Sequence, residues 1–126
     1  MKIYKTKSFA RFQRRERNAD RSLVNAIRDA ESGLVDADLG GGIIKQRVAR
    51  PEQGKRGGFR TVIAHRRKER AVFLFGFAKS DRANIDNDEL EEWRRIGWLY
   101  LGLDERTIGK AVTSEEVIEV RDDEKD

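Results

Sequence analysis

Three strand-like runs decide the fold: Ile43-Ile-Lys-Gln-Arg-Val-Ala-Arg50, Phe59-Arg-Thr-Val-Ile-Ala-His-Arg66 and Ala71-Val-Phe-Leu-Phe-Gly-Phe-Ala78. Each run is rich in β-branched or aromatic residues, which favour strands. A basic, glycine-rich loop joins the first run to the second, and the polar turn Arg67-Lys-Glu-Arg70 joins the second to the third. Short links between successive strands predict an antiparallel meander.

Helical patterns flank this meander on both sides. Ser8 is expected to cap a first helix over about residues 9–17. Asn18 or Asp20 is expected to cap a second helix that ends at Gly33, so that the two form a helical hairpin. Asp86 and Glu89 have the spacing of a capping box for a third helix. Its apolar positions predict one buried face with both tryptophans in the core: Leu90, Trp93, Gly97, Trp98 and Leu101.

The remaining segments predict smaller elements of the same domain. Residues 3–6 and 117–120 are typical of short strands, residues 104–112 of a weaker helix, and residues 34–42 of a loop that leads into the sheet. The sequence therefore predicts a single α+β domain over residues 1–126. Its core is expected over about residues 1–102, followed by a C-terminal extension, 103–126, with a frayed acidic tail.

Composition excludes several classes of protein. The chain has 126 residues with no cysteine and one histidine, His65. A disulfide scaffold, a thiol nucleophile and a zinc site built from Cys or several His are therefore excluded, and we expect no metal or cofactor. No apolar run approaches the roughly 20 residues that span a bilayer, and the N-terminus lacks a signal-like apolar stretch. A cytoplasmic protein with no membrane partner is the expectation.

Charge is strongly segregated along the chain. The formal net charge is +4, from 27 basic and 23 acidic residues. Residues 45–82, however, contain twelve basic residues against three acids, a net of +9. Such a segment favours a polyanionic partner, above all nucleic acid. The alternative is a solvated charged face that only keeps the protein in solution.

Some of these cations lie within the strands. Lys45 and Arg47 share one face of the first run by the alternation of a strand, Arg60 begins the second run and Lys79 follows the third. RNA cleavage by its own 2′-hydroxyl needs charge stabilisation at the phosphate, which fixed cations can supply without metal. The alternative is ordinary edge charge. In an ideal strand Lys79 shares a face with Phe73, Phe75 and Phe77, so we expect it to leave that face at the strand end or through a bulge.

The stretches Ile44-Lys-Gln-Arg-Val-Ala-Arg50, Gly54-Lys-Arg-Gly-Gly-Phe-Arg60 and Phe75-Gly-Phe-Ala-Lys-Ser-Asp-Arg-Ala-Asn-Ile85 resemble the RelE/ParE superfamily of toxins from type II toxin–antitoxin systems, and within it the HigB-like branch. The resemblance implies a compact fold with an N-terminal helical hairpin packed on a curved antiparallel sheet and a C-terminal helix. It also implies metal-independent mRNA cleavage at the ribosome, inhibition of translation, and neutralisation by an antitoxin, expected to be of the helix-turn-helix type.

The resemblance also assigns site residues. The catalytic cations that it implies are Lys45, Arg47, Arg60 and Lys79, and further cations of the basic segment are expected to bind RNA: Arg50, Lys55, Arg56 and Arg82. Two positions depart from the RelE pattern, because Ser80 stands where an arginine is usual and Asp86 where a tyrosine is usual. The general base therefore stays unassigned.

Two other functions remain open from the sequence. A ParE-like toxin would inhibit DNA gyrase through protein contacts and would leave mRNA intact. A non-catalytic basic protein would bind nucleic acid in a salt-sensitive manner without toxicity.

Overall fold

The computed structural model describes residues 1–50, 54–78 and 85–121, with backbone only for 54–57. Four helices and six strands follow one another in these residues: β1 Lys2–Thr6, α1 Lys7–Arg15, α2 Asp20–Glu31, β2 Ala37–Gly40, β3 Ile43–Arg50, β4 Gly54–Arg66, β5 Arg70–Ala78, α3 Asn87–Gly102, α4 Glu105–Thr113 and β6 Val117–Val120. The α+β class is therefore confirmed.

One six-stranded sheet forms the centre of the protein, in the order β2-β3-β4-β5-β1-β6. Strands β3, β4 and β5 are successive antiparallel neighbours, which confirms the predicted meander. The N-terminal strand β1 lies parallel to β5, and β6 pairs antiparallel with β1 at the far edge. The sheet is thus mostly antiparallel, with one parallel pair.

Helices cover both faces of this sheet. The predicted hairpin of α1 and α2 packs on one face, where Phe9, Leu23 and Ile27 contact a cluster that includes Val48 and Phe73 of the sheet. Helices α3 and α4 pack on the other face in a second cluster. We call these the hairpin face and the α3 face. Every strand of the meander is therefore buried on at least part of both sides.

A bulge in β5 divides its phenylalanines between the two faces. Val62 pairs with Phe75, but the next residue of β4, Ile63, pairs with Phe73, so Leu74 is the extra residue. Phe73 belongs to the cluster on the hairpin face, whereas Leu74 and Phe75 belong to the cluster on the α3 face. An ideal strand would place Phe73, Phe75 and Phe77 on one face, but the bulge inverts the alternation at residue 74 and leaves only Phe75 and Phe77 together.

Several local predictions differ from the structure. The loop predicted over residues 34–42 contains the short strand β2, which forms a hairpin with β3. Thr6, not Ser8, caps α1 by accepting a hydrogen bond from the backbone N–H of Phe9. Helix α2 begins after Ala19, which provides no side-chain cap, so neither Asn18 nor Asp20 occupies the N-cap position.

Helix α3 confirms one prediction and corrects another. The capping box of Asp86 and Glu89 is present in full. Trp98, however, is 73% exposed. It follows Gly97 directly and so lies about 100° round the helix from the buried stripe. Ile96 and Tyr100 are partly buried in that cluster instead.

Two close contacts fix α3 against the sheet. A Cβ on Gly97 would lie 2.4 Å from Cδ1 of Ile43, so glycine is required for this approach. At the helix C-terminus, Nη1 of Arg70 donates to the carbonyls of Tyr100 (2.8 Å) and Leu103 (2.7 Å). A cation is favourable there because the last carbonyls of a helix lack partners within it.

Residues 103–121 are part of the same core. Ile108 of α4 is 1% exposed and Val117 of β6 is fully buried. The segment that the sequence set apart as an extension therefore supplies an edge strand and a helix to the domain. The acidic tail, residues 122–126, lies outside the described residues.

Glu31 links the end of α2 to the turn between β4 and β5. Its carboxylate contacts Nε2 of His65 at 2.5 Å and accepts hydrogen bonds from the backbone N–H of Lys68. Burial raises the pKa of Glu31, but the hydrogen bonds from His65 and Lys68, together with the charges of His65 and Arg67, outweigh burial. The net effect is a pKa below the ordinary value of 4.5.

We expect Glu31→Gln to flatten the acid limb of the stability curve. A lowered pKa means that the carboxylate stabilises the fold above its unfolded pKa and loses this effect as the pH falls through the folded pKa. Wild type should therefore lose stability between about pH 5 and about pH 3 more steeply than the variant, which should be less stable by about 1 kcal/mol at neutral pH. Urea unfolding across this range measures both effects.

The matched control is Glu69→Gln in the same turn. Glu69 is exposed and its only described ion pair, with Arg66, is long at 3.9 Å. This control should follow the wild-type curve. An acid limb in Glu31→Gln as steep as that of wild type would contradict the role given to this carboxylate.

Candidate nucleic-acid interface

Three of the predicted catalytic cations lie on one face of the sheet. In β3, the side chains of Ile44 and Val48 enter the cluster on the hairpin face, so the alternate residues Lys45 and Arg47 lie on the α3 face. Arg60 of β4 lies on that same face, since its neighbour Phe59 belongs to the opposite cluster. We call Lys45, Arg47 and Arg60 the cationic triad.

The register of β3 and β4 places two of these cations directly side by side. Arg47 is opposite Arg60, and Lys45 is opposite Val62 one row away. Directly opposed residues of antiparallel strands have Cβ atoms about 4.5–5.5 Å apart, and like charges at this separation destabilise a sheet. The pair of arginines therefore costs stability in the free protein, and an anion bound between them would relieve the repulsion.

The two arginines are not neutralised by any described residue. Arg47 is exposed, and its guanidinium forms no ion pair with the described part of the chain; the carboxylate of Asp36 accepts only its backbone N–H. Arg60 is half-buried, and its Nη1 atom is buried with no hydrogen-bond partner among those residues. Since buried donors are nearly always paired, this nitrogen is suited to donate a hydrogen bond to an external anion.

Aromatic rings line the same face beside the triad. Phe77 is opposite Arg60 and Phe75 is opposite Val62, with 5.9 Å between the centroids of the two phenylalanine rings. Trp93 of α3 stacks on Phe75 at 5.2 Å with an interplanar angle of 22°. The face therefore combines fixed cations with a packed aromatic wall, in which Phe77 is buried and Trp93 covers Phe75.

Sequence reasoning did not assign Trp93 to this site. Its spacing in the helix predicted only a core position. The capping box fixes the start of α3 and hence the face on which residue 93 lies, but the β5 bulge that brings Phe75 beneath it is not visible in the sequence.

The other five predicted site residues are placed apart or lie outside the description. Arg50 lies on the hairpin face and forms an ion pair with Glu16 at the end of α1, so the structure does not bring it to the triad. Lys79 and Arg82 lie outside the described residues. Lys55 and Arg56 belong to β4, but their side chains are not described. The roles of these residues stay predictions.

The remaining candidate groups are structural. His65 is on the far side of the sheet from the triad, in contact with Glu31. Gly40, Gly41 and Gly42 have positive φ values and form the turn between β2 and β3, where Gly41 packs against the side chain of Arg94. Within residues 1–50, 54–78 and 85–121, no group of three His, Cys, Asp or Glu side chains is arranged to bind a metal.

Comparison with known proteins identifies the family. The family model described as the RelE toxin of the RelE/RelB toxin–antitoxin system matches residues 1–120. The chain belongs to the RelE toxin family. It is therefore a toxin of a toxin–antitoxin system, and its family implies a cognate antitoxin as partner. RelE-family toxins are generally ribonucleases, which agrees with the cationic face of this RelE-family chain.

A search of curated proteins found no match to this RelE-family toxin. None of the helices in the described part of the chain is long and apolar enough to cross a membrane.

Proposed function

We propose that this RelE-family toxin is a ribosome-associated mRNA endonuclease that inhibits translation without a metal ion. The observation that supports the proposal is the placement of Lys45, Arg47 and Arg60 on one face, with the two arginines directly opposed and without a described anionic partner. We propose further that the chain belongs to the HigB-like branch of the family, which the resemblance of the motif over residues 44–85 supports. A cytoplasmic location and a helix-turn-helix antitoxin belong to the same proposal.

The geometry supports cleavage by the RNA's own 2′-hydroxyl. The 2′-oxygen attacks the adjacent phosphorus, the bond from phosphorus to the 5′-oxygen breaks, and a 2′,3′-cyclic phosphate remains on one fragment. Arg47 and Arg60 bind the non-bridging oxygens, where negative charge grows in the transition state. Donors fixed by a sheet stabilise this charge without reorganising, which is the largest contribution that the described residues make.

Proton transfer completes the reaction. A base must take the proton of the 2′-hydroxyl and an acid must protonate the leaving 5′-oxygen. Lys45 lies one row from the arginine pair, about 6.6 Å along the strand, and is proposed to act at the leaving oxygen. Lys79 remains a proposed second cation, and the general base is left unassigned.

Induced expression with mapping of mRNA ends tests the function. Expression of the chain alone should arrest growth and translation, and primer extension should show new 5′ ends in ribosome-bound mRNA. Purified toxin added to translating ribosomes should cleave their mRNA. Intact mRNA together with DNA damage would instead indicate gyrase inhibition, and salt-sensitive RNA binding without cleavage or toxicity would indicate a non-catalytic binder.

A further inference from the structure

The two tryptophans of α3 have opposite environments. Trp98 is 73% exposed. Trp93 is half-buried and stacks on Phe75, which itself lies beside Phe77 on the α3 face. One tryptophan is therefore on the surface of the helix, and the other forms part of the wall beside the cationic triad.

The indole nitrogen of Trp93 has no acceptor. Its Nε1 atom is buried, and no hydrogen-bond partner lies among the described residues. An indole N–H only donates, and leaving such a donor buried and unpaired costs about 1–3 kcal/mol. A buried donor without an acceptor in a native structure needs an explanation. One explanation is a bound ligand that supplies the acceptor.

A second unpaired donor lies close by. Nη1 of Arg60 is also buried without a described partner. In the sheet, Phe77 is opposite Arg60, and Phe75, beneath the Trp93 ring, is opposite Val62 two residues further along β4. Two residues of a strand span about 6.6 Å. The strand positions over which the two donors lie, Arg60 and Val62, are therefore about one nucleotide's length apart on the same face.

We infer that Trp93 is an RNA-contacting residue whose indole N–H donates to a non-bridging phosphate oxygen of the strand that Arg47 and Arg60 bind. This inference rests on the proposed RNA-cleaving function and deepens it. Phosphate is the favoured acceptor because the cations Arg47 and Arg60 lie on the same face as Trp93. In addition, Phe75 already occupies one face of the indole ring. Since solvent does not reach Nε1 in the free protein, RNA binding requires side chains at the edge of the indole to move.

Trp93→Phe tests the contact and Trp98→Phe is its matched control. Phenylalanine keeps a ring to stack on Phe75 but removes the N–H. With a short single-stranded RNA methylated at its 2′-oxygens, so that it is not cleaved, Trp93→Phe should bind about threefold to tenfold more weakly than wild type. Trp98→Phe should bind as wild type does. Equal affinity of Trp93→Phe and wild type would overturn the inference.

Salt dependence separates this neutral contact from the charged ones. Loss of a neutral donor should weaken binding equally at all salt concentrations, with the slope of log K against log salt unchanged. Arg60→Gln should instead reduce that slope by about 0.7. A reduced slope in Trp93→Phe would show a rearranged cationic face and would overturn the inference.

Fluorescence provides a second measurement that does not depend on the Trp93 variant folding. The chain has two tryptophans, so Trp93 is the only one left in Trp98→Phe. Saturating RNA should change its emission, and unchanged emission would overturn the inference. Trp93→Phe should also bind an RNA with abasic nucleotides more weakly than wild type does. Equal affinity of the two proteins for this RNA would assign the acceptor to a base and overturn the phosphate contact.

The outcome for wild type distinguishes the two levels of the proposal. Wild-type protein that neither binds this RNA nor cleaves ribosome-bound mRNA would contradict the proposed function itself. Wild-type protein that binds and cleaves RNA, together with a fully active Trp93→Phe, would overturn only the role of Trp93.

Discussion

Arg60→Gln is expected to lower mRNA cleavage by about 100-fold to 1000-fold and to abolish growth arrest on induction. Removing one fixed donor from the charge that develops in a transition state has an effect of this size. Glutamine keeps a polar side chain of intermediate length but removes the charge opposite Arg47. Because two like charges face each other there, the variant should be at least as stable as wild type to urea. Primer extension on ribosome-bound mRNA measures the loss.

Arg106→Gln is the charge-matched control. Arg106 is exposed on α4, which packs beside β6, and β6 is separated from β4 by β5 and β1. Neighbouring strands are about 4.8 Å apart, so β6, beside which Arg106 lies, is about 14 Å from β4 across the sheet. It should retain cleavage within about twofold, since it removes only a distant charge. An Arg60→Gln variant that is folded and as active as Arg106→Gln would remove the triad from the mechanism.

Arg70→Met is expected to destabilise the protein by about 2–4 kcal/mol. Arg70 is 7% exposed, and its guanidinium satisfies the carbonyls of Tyr100 and Leu103 at the end of α3. Methionine fills a similar volume but leaves both acceptors without a donor, and each unsatisfied buried group costs about 1–3 kcal/mol. Thermal and urea unfolding at neutral pH measure the change.

Arg66→Met is the control for this prediction. Arg66 is more exposed and donates to one carbonyl, that of Leu101, at 2.9 Å. The expected loss is below about 1 kcal/mol, because water can replace a donor at an exposed position. Equal losses for the two variants would contradict the stabilising role given to the hydrogen bonds of Arg70.

The meander and the third helix were predictable because their signals are local. Alternation and short polar links define β3, β4 and β5, and the Asp86–Glu89 spacing defines the start of α3. The position of β1 was not predictable in this way. It pairs in parallel with β5, about 70 residues away, and this partner is selected by burial in the sheet rather than by nearby sequence.

The site was partly predictable for the same reason. Alternation alone places Lys45 and Arg47 together, but their position beside Arg60 depends on the β3–β4 register. The net charge of the basic segment also overstates the number of cations that are available to bind an anionic ligand. Arg50 pairs with Glu16, and Arg70 is used to hold the end of α3. A count of charges does not distinguish such internally committed cations from those that face a ligand.

The bulge divides β5 into two parts whose side chains alternate between the faces of the sheet in opposite phase. Before Leu74, odd-numbered positions lie on the hairpin face; after it, odd-numbered positions lie on the α3 face. If the same residues formed a regular strand, paired one to one with β4, Phe75 and Phe77 would enter the hairpin core and Gly76 would lie on the α3 face. Deletion of Leu74 would instead remove only the extra residue and would leave Phe75 and Phe77 where they are. The aromatic wall is thus specified by the pairing of β5 with β4 as much as by the identity of its rings.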